Sequence, residues 1–353
     1  MDYNEIAKIG EECLLPTISK LYGLDGYEIK LIASHYGGRN LVYTCEKAGL
    51  NPLILRISYL NDRTQEDYLG EVEYVRFLYE NGGSVSNVIN SKNGNLLEKL
   101  VYNGEIYYIS LFEKAKGKML VENNYQYRKD VPISEYYYNC GKTLGKIHQL
   151  SKEYTPSHSR YCFFDRYNEK YIEQLIPHEF TLLKKKFQEL IKIFKDIDKI
   201  KDIFGMIHCD FNDGNYSIDF DNGEITVYDF DNSCFGFYMY DLADLWTHGV
   251  GWIQFEQDTT KRMKFMEDYF ETVLAGYKSE TNLDTSMLNN LPIFINATIM
   301  ENIIDEFEIM KRNGEELECE EDLLYLIKCI EDDIPYKGFF SEIYSCEMPF
   351  ELR

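Results

Sequence analysis

Met206-Ile207-His208-Cys209-Asp210-Phe211-Asn212-Asp213-Gly214-Asn215, continued through Tyr216 to Tyr228 and closed by Asp229-Phe230-Asp231, carries most of the structural and chemical information in this chain. Asp221-Asn222-Gly223-Glu224 predicts a hairpin, because Asn-Gly readily takes the left-handed backbone of a two-residue β-turn. With that loop, Tyr216 pairs with Asp229 and Asn215 with Phe230. Asn215 and Asp229 then arrive at the same end of the hairpin, one position apart on paired strands. Two oxygen-bearing side chains so placed can reach one hard cation, and Mg²⁺ typically takes one or two such ligands while water and phosphate oxygens complete its octahedron. Asp210 lies on the loop entering the hairpin, beside such an ion without needing to bind it. A carboxylate there can accept the proton of a substrate hydroxyl and hold it in line with the γ-phosphorus of a nucleotide. Turn chemistry alone would also account for His208, Asp210 and Asn215, since Asp, Asn and Gly favour turns. The joint spacing favours a site.

Upstream, the spacing predicts a helix through Ile6, Ile9, Leu14, Ile18 and Leu21, with Pro16 placed to kink or break it and Gly23 to end it. Tyr27 to Ala33, Leu41 to Glu46 and Leu53 to Ser58 are short β-rich runs punctuated by Gly37-Gly38 and Gly49. Asp62 to Tyr79 has helical spacing at Leu69, Val72, Val75 and Leu78, closed by Gly82-Gly83. Leu96 to Val101 and Glu105 to Leu111 flank Asn103-Gly104, a two-residue hairpin signal. From about Val121 the pattern is mainly helical, through Ser134 to Leu150, Leu182 to Phe194, Met263 to Tyr277 and Ile293 to Met310, with only the one hairpin interrupting it. The expected class is α+β: a small antiparallel-sheet lobe with one main helix, then a larger helical lobe. Residues Phe112 to Gly117 mark the change of architecture, where a ligand-binding cleft is expected.

His208-Cys209-Asp210 through Asn215, followed by Asp229-Phe230, resembles the catalytic loop and metal motif of the aminoglycoside phosphotransferase family, which includes choline, homoserine and methylthioribose kinases. The resemblance covers most of the chain and implies a protein-kinase-like, two-lobed fold. It divides the chain into a nucleotide-binding lobe at 1–111, a hinge at 112–117 and a catalytic and substrate-binding lobe at 118–353. It also implies that Asp210 is catalytic, that Asn215 and Asp229 hold Mg²⁺, and that Asp241, within Tyr240-Asp241-Leu242-Ala243, braces the catalytic loop backbone. Gly141 to His148 is similar to the family's helix ahead of that loop. Cys209 stands where the family commonly has Gly.

In the small lobe, Ser34 to Asn40 lies where the family folds a loop over the phosphates, which implies contacts from Gly37, Gly38 and Asn40. Arg56 occupies the strand position where many kinases hold a Lys; arginine can contact phosphate bidentately but is not equivalent to lysine. Glu71 shares a helical face with Val75 and Leu78, whereas Glu73 lies beside Arg76 and Phe77, so Glu71 is the preferred partner of Arg56, with a surface position as the alternative. The resemblance implies that the backbone at Phe112, Glu113 and Ala115 meets the purine edge. ATP is the preferred nucleotide, and GTP is not separable from it.

Composition bounds the remainder. The 353 residues are 44% hydrophobic and 27% charged, enough for one large or two modest domains, and no apolar run approaches the roughly 18 residues of a membrane span. The acidic start, Met-Asp-Tyr-Asn-Glu, is unlike a secretory signal, so a cytoplasmic protein is expected. Nine cysteines with no Cys-x-x-Cys pair suggest reduced thiols rather than disulfides or a zinc site. A net charge of −23 argues against nucleic-acid binding. Residues 301–353 hold sixteen Asp and Glu against five Lys and Arg, and Glu301, Asp305 and Glu308 recur at helical spacing opposite Ile303, Ile304 and Phe307. Such a face is usually only solvated, but the family places carboxylates of late helices around cationic substrates, which implies that role for Glu301 and Asp305. His208 reads as a buried brace rather than a base. Asp231 either touches a second metal or substrate or holds its loop, and Trp246, His248 and Trp252 line a pocket or fill the core.

The expected function is Mg²⁺-dependent transfer of the γ-phosphoryl group of ATP to a hydroxyl of an aminoglycoside, amino alcohol or hydroxy amino acid. The alternatives are a protein Ser/Thr kinase of the same fold and a catalytically silent nucleotide-binding module. The latter is disfavoured by the presence of Asp210, Asn215 and Asp229 together.

Overall fold

Thr64 and Asp67 set the start of the main N-terminal helix by a reciprocal capping box, the Asp67 N–H donating to Thr64 Oγ1 and the Thr64 N–H to Asp67 Oδ2. Local signals of this kind place most of the elements. The computed structural model describes residues 3–32, 38–60, 62–253, 256–314 and 321–336. In chain order these form α1 (Tyr3–Ile9), a π-helical turn (Gly10–Leu14), α2 (Leu15–Tyr22), β1 (Glu28–Leu31), β2 (Asn40–Glu46), β3 (Leu53–Ser58), α3 (Gln65–Glu80), β4 (Val88–Ile89), β5 (Glu98–Tyr102) and β6 (Glu105–Glu113). There follow α4 (Ile133–Ser151), α5 (Phe163–Arg166), α6 (Glu169–Leu175), α7 (Thr181–Lys195), β7 (Phe204–Ile207), β8 (Tyr216–Ile218), β9 (Ile225–Val227) and β10 (Cys234–Phe237). The chain continues through α8 (Tyr238–Trp252), α9 (Thr259–Glu280), α10 (Leu291–Asn313) and α11 (Glu321–Glu331). Among the described residues no helix is long and apolar enough to cross a membrane.

Two compact units emerge, neither contiguous in sequence. One comprises residues 1–132, 149–161 and 213–233; the other 133–148, 162–212 and 234–353.

The first unit is built on an antiparallel sheet in the order β1-β2-β3-β6-β4, with β5 also paired to β6. Period-2 alternation divides β3. Leu55 and Ile57 join Ile6, Leu14, Ile18, Leu41, Tyr43 and Ile109 in one apolar core, while Arg56 and Ser58 point to the opposite face. Pro16 follows the point at which the leading helical run is divided into α1 and α2. It sits in the first turn of α2, where a missing N–H costs nothing, and the π turn before it takes up the change of hydrogen bonding. Gly23 ends α2 in the left-handed conformation, as its spacing predicts. Asn103 and Gly104, both at positive φ, join β5 to β6 with Tyr102 opposite Glu105. β6 runs two residues past its predicted end at Leu111, so Phe112 and Glu113 are strand residues paired with Ile54 and Leu53.

The second unit is mainly helical. The α7 helix buries Leu183, Phe187, Leu190, Ile191 and Phe194, and Phe194 meets Phe164 and Phe294 at ring-centroid distances of 4.3 and 4.9 Å. Its β7 and β10 pair antiparallel, Cys234 opposite Ile207. This second strand pair was not expected from the sequence: each strand has four residues and no turn links them, so neither periodicity nor a hairpin signal marks them.

Candidate active site

The loop after β7 is held by carboxylates from α8. Asp241, fully buried, accepts the His208 N–H at Oδ2 and the Cys209 N–H at Oδ1, both at 2.8 Å. His148 Nε2 lies 3.0 Å from the same Oδ2, and His148 Nδ1 lies 2.9 Å from the Tyr277 hydroxyl. A carboxylate only accepts, so Nε2 carries a proton. The Phe211 N–H donates to Asp244, whose carboxyl is pushed well above its ordinary range by burial and by neighbouring Asp241. Three backbone donors of the loop are thus consumed, Phe211 is buried, and Asp210 is left half-buried between them, its carboxylate accepting from Asn212 Nδ2. Cys209 has φ 65°, a backbone conformation in which a residue with a Cβ is disfavoured, which explains why Gly suits this position. His208 is fully buried with its ring 5.8 Å from that of Phe211.

Three residues beyond Asp210 the chain enters the first unit, where the β8–β9 register departs from expectation. Tyr216 faces Val227 and Ile218 faces Ile225, two residues away from the predicted pairing of Tyr216 with Asp229. The loop is longer than Asn222-Gly223 alone because Asp219 closes a wider turn. Its carbonyl accepts from Asn222 and Gly223, and its Oδ1 accepts from the Asp221 N–H at 3.0 Å. The Tyr228 N–H donates to the Asn215 carbonyl at 2.9 Å, so Asp229 lies one position beyond the residue opposite Asn215. A slip of two residues preserves the faces of a strand. Asp229 has φ 60°, and a short 3-10 turn, Phe230–Asn232, follows it.

Arg56 and Glu71 meet across the β3–α3 face at 2.8 Å (Nη2 to Oε2), Arg56 5% exposed and Glu71 not at all. Glu73 instead bonds the His158 ring at 2.7 Å. Arg56 Nη1 is 3.8 Å from Asp229 Oδ1, and Arg56 Nε has no hydrogen-bond partner among the described residues. Burial and the Asp231 carboxylate push Asp229 up to about 6, though half of its side-chain surface is open. Asp231 goes the other way: burial would raise it, but Arg63, Arg56 and Arg39 hold it well below the carboxylate range. Asn40 is engaged internally, accepting from Ser58 Oγ at 2.6 Å and donating to Asp231 Oδ2 at 3.3 Å. Gly38 accepts the Tyr59 hydroxyl, and Gly37 lies outside the described residues. The Glu113 and Lys114 N–H groups donate to Asn87 and Pro52 carbonyls, whereas the Ala115 N–H makes no backbone hydrogen bond among the described residues. Gly117, at φ 92°, lets the following chain lie against β8: a Cβ there would fall 2.0 Å from the Ile218 carbonyl oxygen.

On α10, Glu301 is not part of a solvated face. It is 8% exposed and accepts the hydroxyls of Tyr240 and, at 3.4 Å, Tyr167, while the Cys209 thiol lies 3.7 Å away. Burial and neighbouring Asp305 push its carboxyl well above the ordinary value, outweighing the opposite pull of the Tyr240 bond. Asp305 is half-buried on the next turn, and Glu308 accepts the Tyr171 hydroxyl. Trp252 packs against Tyr137 at 5.7 Å. His148, Tyr277, Asp244, Arg63 and Arg160 were given no role from the sequence; only His148 fell inside a stretch compared with the family, Gly141 to His148.

Residues 29–279 match the phosphotransferase enzyme family. The chain belongs to that family. The match spans well over half of its length, so the resemblance drawn from the motif is confirmed. Amicoumacin kinase of Bacillus subtilis (strain 168) is 26% identical over 297 residues, covering 83% of this chain and 84% of the relative. Among solved structures, amicoumacin kinase hAmiN in complex with AMP-PNP, Ca²⁺ and Ami superposes with a TM-score of 0.80 at 22% identity, covering 98% of this chain and all of that one. A microcompartment-associated aminopropanol kinase gives 0.64 at 18% (92% and 100% covered), and choline kinase LicA from Streptococcus pneumoniae 0.57 at 13% (92% and 98%). These likenesses establish the protein-kinase-like α+β fold. The enzyme is a phosphotransferase of the small-molecule kinase type.

Proposed function

We propose that this phosphotransferase moves the γ-phosphoryl group of ATP, with Mg²⁺, onto a hydroxyl of a small amino-hydroxyl compound. The observation that carries the reading is the buried Arg56–Glu71 pair: its guanidinium keeps Nε unpartnered and Nη1 directed at Asp229. A buried cationic donor left unsatisfied is costly, and an anionic phosphate oxygen is the natural partner for it.

The residues also suit a divalent cation. Asp229 has an open, weakly compensated carboxylate, Asn215 stands one pairing position away, and two protein ligands are what Mg²⁺ commonly takes beside a nucleotide. When bound, Mg²⁺ neutralises charge on the phosphate oxygens. Asp210, fixed by the Asp241 and Asp244 bonds on either side of it, accepts the proton of the acceptor hydroxyl as that oxygen bonds to the γ-phosphorus and the bond to the leaving oxygen of ADP breaks. The Ala115 N–H, which makes no backbone hydrogen bond among the described residues, is assigned to the purine edge with Phe112 and Glu113 beside it, and Gly38 to the phosphates. Asn40 acts through Ser58 and Asp231. In this reading residues 1–111 hold the nucleotide, 112–117 its base edge, and the remainder the catalytic carboxylate and acceptor, with half-buried Asp305 and its neighbour Glu301 the carboxylates assigned to a cationic group. The reaction belongs in the cytoplasm, where ATP is maintained.

Amicoumacin is the first acceptor to try, because a kinase bearing that name aligns over most of the chain; aminopropanol and choline follow. Purified protein with Mg²⁺ and ATP should release ADP only when an accepted compound is present and should add one phosphate to it by mass. Asp210→Ala should reduce that rate at least a hundredfold, and unchanged release would overturn the assignment.

A further inference from the structure

The turn that follows Asp229 is held more tightly than the ligand it follows. Arg63, just ahead of α3, places Nη1 on Asp231 Oδ1 and Nη2 on Asn232 Oδ1 at 2.8 Å. Asn40 takes the other Asp231 oxygen. Arg160 donates from Nε to the Ser233 carbonyl at 2.6 Å, from Nη2 to the Asp231 carbonyl at 2.6 Å and from Nη1 to the Asp67 carbonyl in α3 at 2.7 Å. Arg63, Arg160 and Asp231 are 7%, 5% and 7% exposed. Gly70 makes room for this on α3, since a Cβ there would come within 3.0 Å of Arg160 Cγ and the His158 carbonyl. The same helix carries Glu71, the partner of Arg56. All of these residues lie in the first compact unit.

We infer that Asp231, Arg63 and Arg160 form a latch that positions Asp229 from helix α3, and that Asp231 is a positioning residue rather than the ligand of a second cation. Both Asp231 oxygens are committed, and the guanidinium groups of Arg63 and Arg160 bind its carboxylate and its carbonyl, so a second cation there would meet like charge. Asp229 has a disfavoured positive φ with no hydrogen bond from its side chain into the following turn, so its direction is set by the residues after it. Because α3 also bears Glu71, the cation-facing carboxylate and the phosphate-facing guanidinium are carried by one framework.

The inference rests on the kinase reading, and metal binding separates the two. Mn²⁺ is titrated into the full-length protein with ADP present, and free Mn²⁺ is read by electron paramagnetic resonance for the parent, Asp231→Asn and Arg160→Lys. Residues that orient a metal ligand without touching the metal typically alter affinity 10- to 100-fold. Both variants should therefore bind the same number of Mn²⁺ ions per chain as the parent, about tenfold more weakly, with circular dichroism unchanged. Loss of one Mn²⁺ per chain in Asp231→Asn but not in Arg160→Lys would make Asp231 a ligand and overturn the latch, as would parental affinity in both. If Asp231→Asn does not fold, Arg160→Lys decides alone, since it keeps the charge and loses the three-way geometry. A parent that binds no Mn²⁺ with ADP would sink the kinase reading itself.

Discussion

Asp241→Asn tests whether the loop that carries Asp210, catalytic in the proposed reaction, is held by charge or merely by shape. The carboxylate accepts three hydrogen bonds while fully buried: Oδ2 from His208 N–H and His148 Nε2–H, Oδ1 from Cys209 N–H. Asparagine has nearly the same outline but one oxygen. Its cheaper orientation keeps that oxygen toward His208 and His148 and sets the NH₂ group against the Cys209 N–H, donor facing donor. One charge-assisted bond, worth about 1.5–3 kcal/mol, is lost, and a buried N–H is left unsatisfied at about 1–3 kcal/mol. Relaxation of the loop recovers part of this, so the variant should unfold in urea with about 3 kcal/mol less stability. Cys209, released from its positive φ, lets Asp210 drift. If the whole 3 kcal/mol appears in the transition state, kcat falls by about two orders of magnitude. The KM for ATP should hardly move, because Arg56 and Asp229 sit on other elements. Parental stability and kcat, or a defect confined to the nucleotide KM, would refute the reasoning.

Gly117→Ala must displace the chain from Ile218 and also forces alanine to φ 92°, so a loss of about 1–3 kcal/mol is expected in equilibrium unfolding, with a raised KM for nucleotide. At Cys209, Gly should preserve kcat, whereas β-branched Val, ill-suited to positive φ, should lower it at least tenfold; steady-state assays of the two variants decide. Glu301 has a folded-state pKa raised above its ordinary 4.5, so the folded protein binds more protons there than the unfolded chain, and its contribution to stability falls as pH rises above about 4.5. Glu301→Gln should flatten that decline in melting curves taken from pH 5 to 8, and identical slopes would rule out a neutral acid at this position. Arg56→Ala leaves fully buried Glu71 without its cation and should cost about 3–5 kcal/mol, while Arg56→Lys should fold and bind nucleotide more weakly by calorimetry.

What the sequence disclosed follows from how local each determinant is. The Asn103-Gly104 hairpin and the Gly23 stop are decided within a few residues, and both are where spacing puts them. The β8–β9 hairpin carries the same Asn-Gly signal and yet takes a wider loop. There Arg128 binds the Phe220 and Asp221 carbonyls and Lys116 pairs with Asp219, contacts about a hundred residues distant in sequence that no turn rule contains. Asn215 and Asp229 remain one pairing position apart because the slip was of two residues, which carries Asp229 from one side of the position opposite Asn215 to the other. Pairing Arg56 with Glu71 rather than Glu73 was legible from one helical face. Asp241 as the brace of the loop came through the family resemblance, but the residues behind it and behind the turn after Asp229 did not: His148 lies about ninety residues from Asp241, and Arg160 about seventy from the turn it grips. Glu301 looked like one of a solvated acidic row because helical periodicity ranks faces by composition, and a buried acid among tyrosine hydroxyls has the same composition as an exposed one.

The division of the chain has a consequence for its biosynthesis. The first unit takes its third segment, 213–233, from far beyond residue 132. At roughly 5–20 residues per second, on the order of 5–20 s pass on the ribosome between completion of the N-terminal sheet and delivery of the hairpin that pairs with Val85 and Lys118. Through that interval the backbone groups of Val85 and Lys118, beside the sheet, wait without these partners. A stop codon or stalled ribosome anywhere before residue 233 therefore yields a chain in which both units are unfinished, and no single proteolytic cut of the complete enzyme could release either one whole.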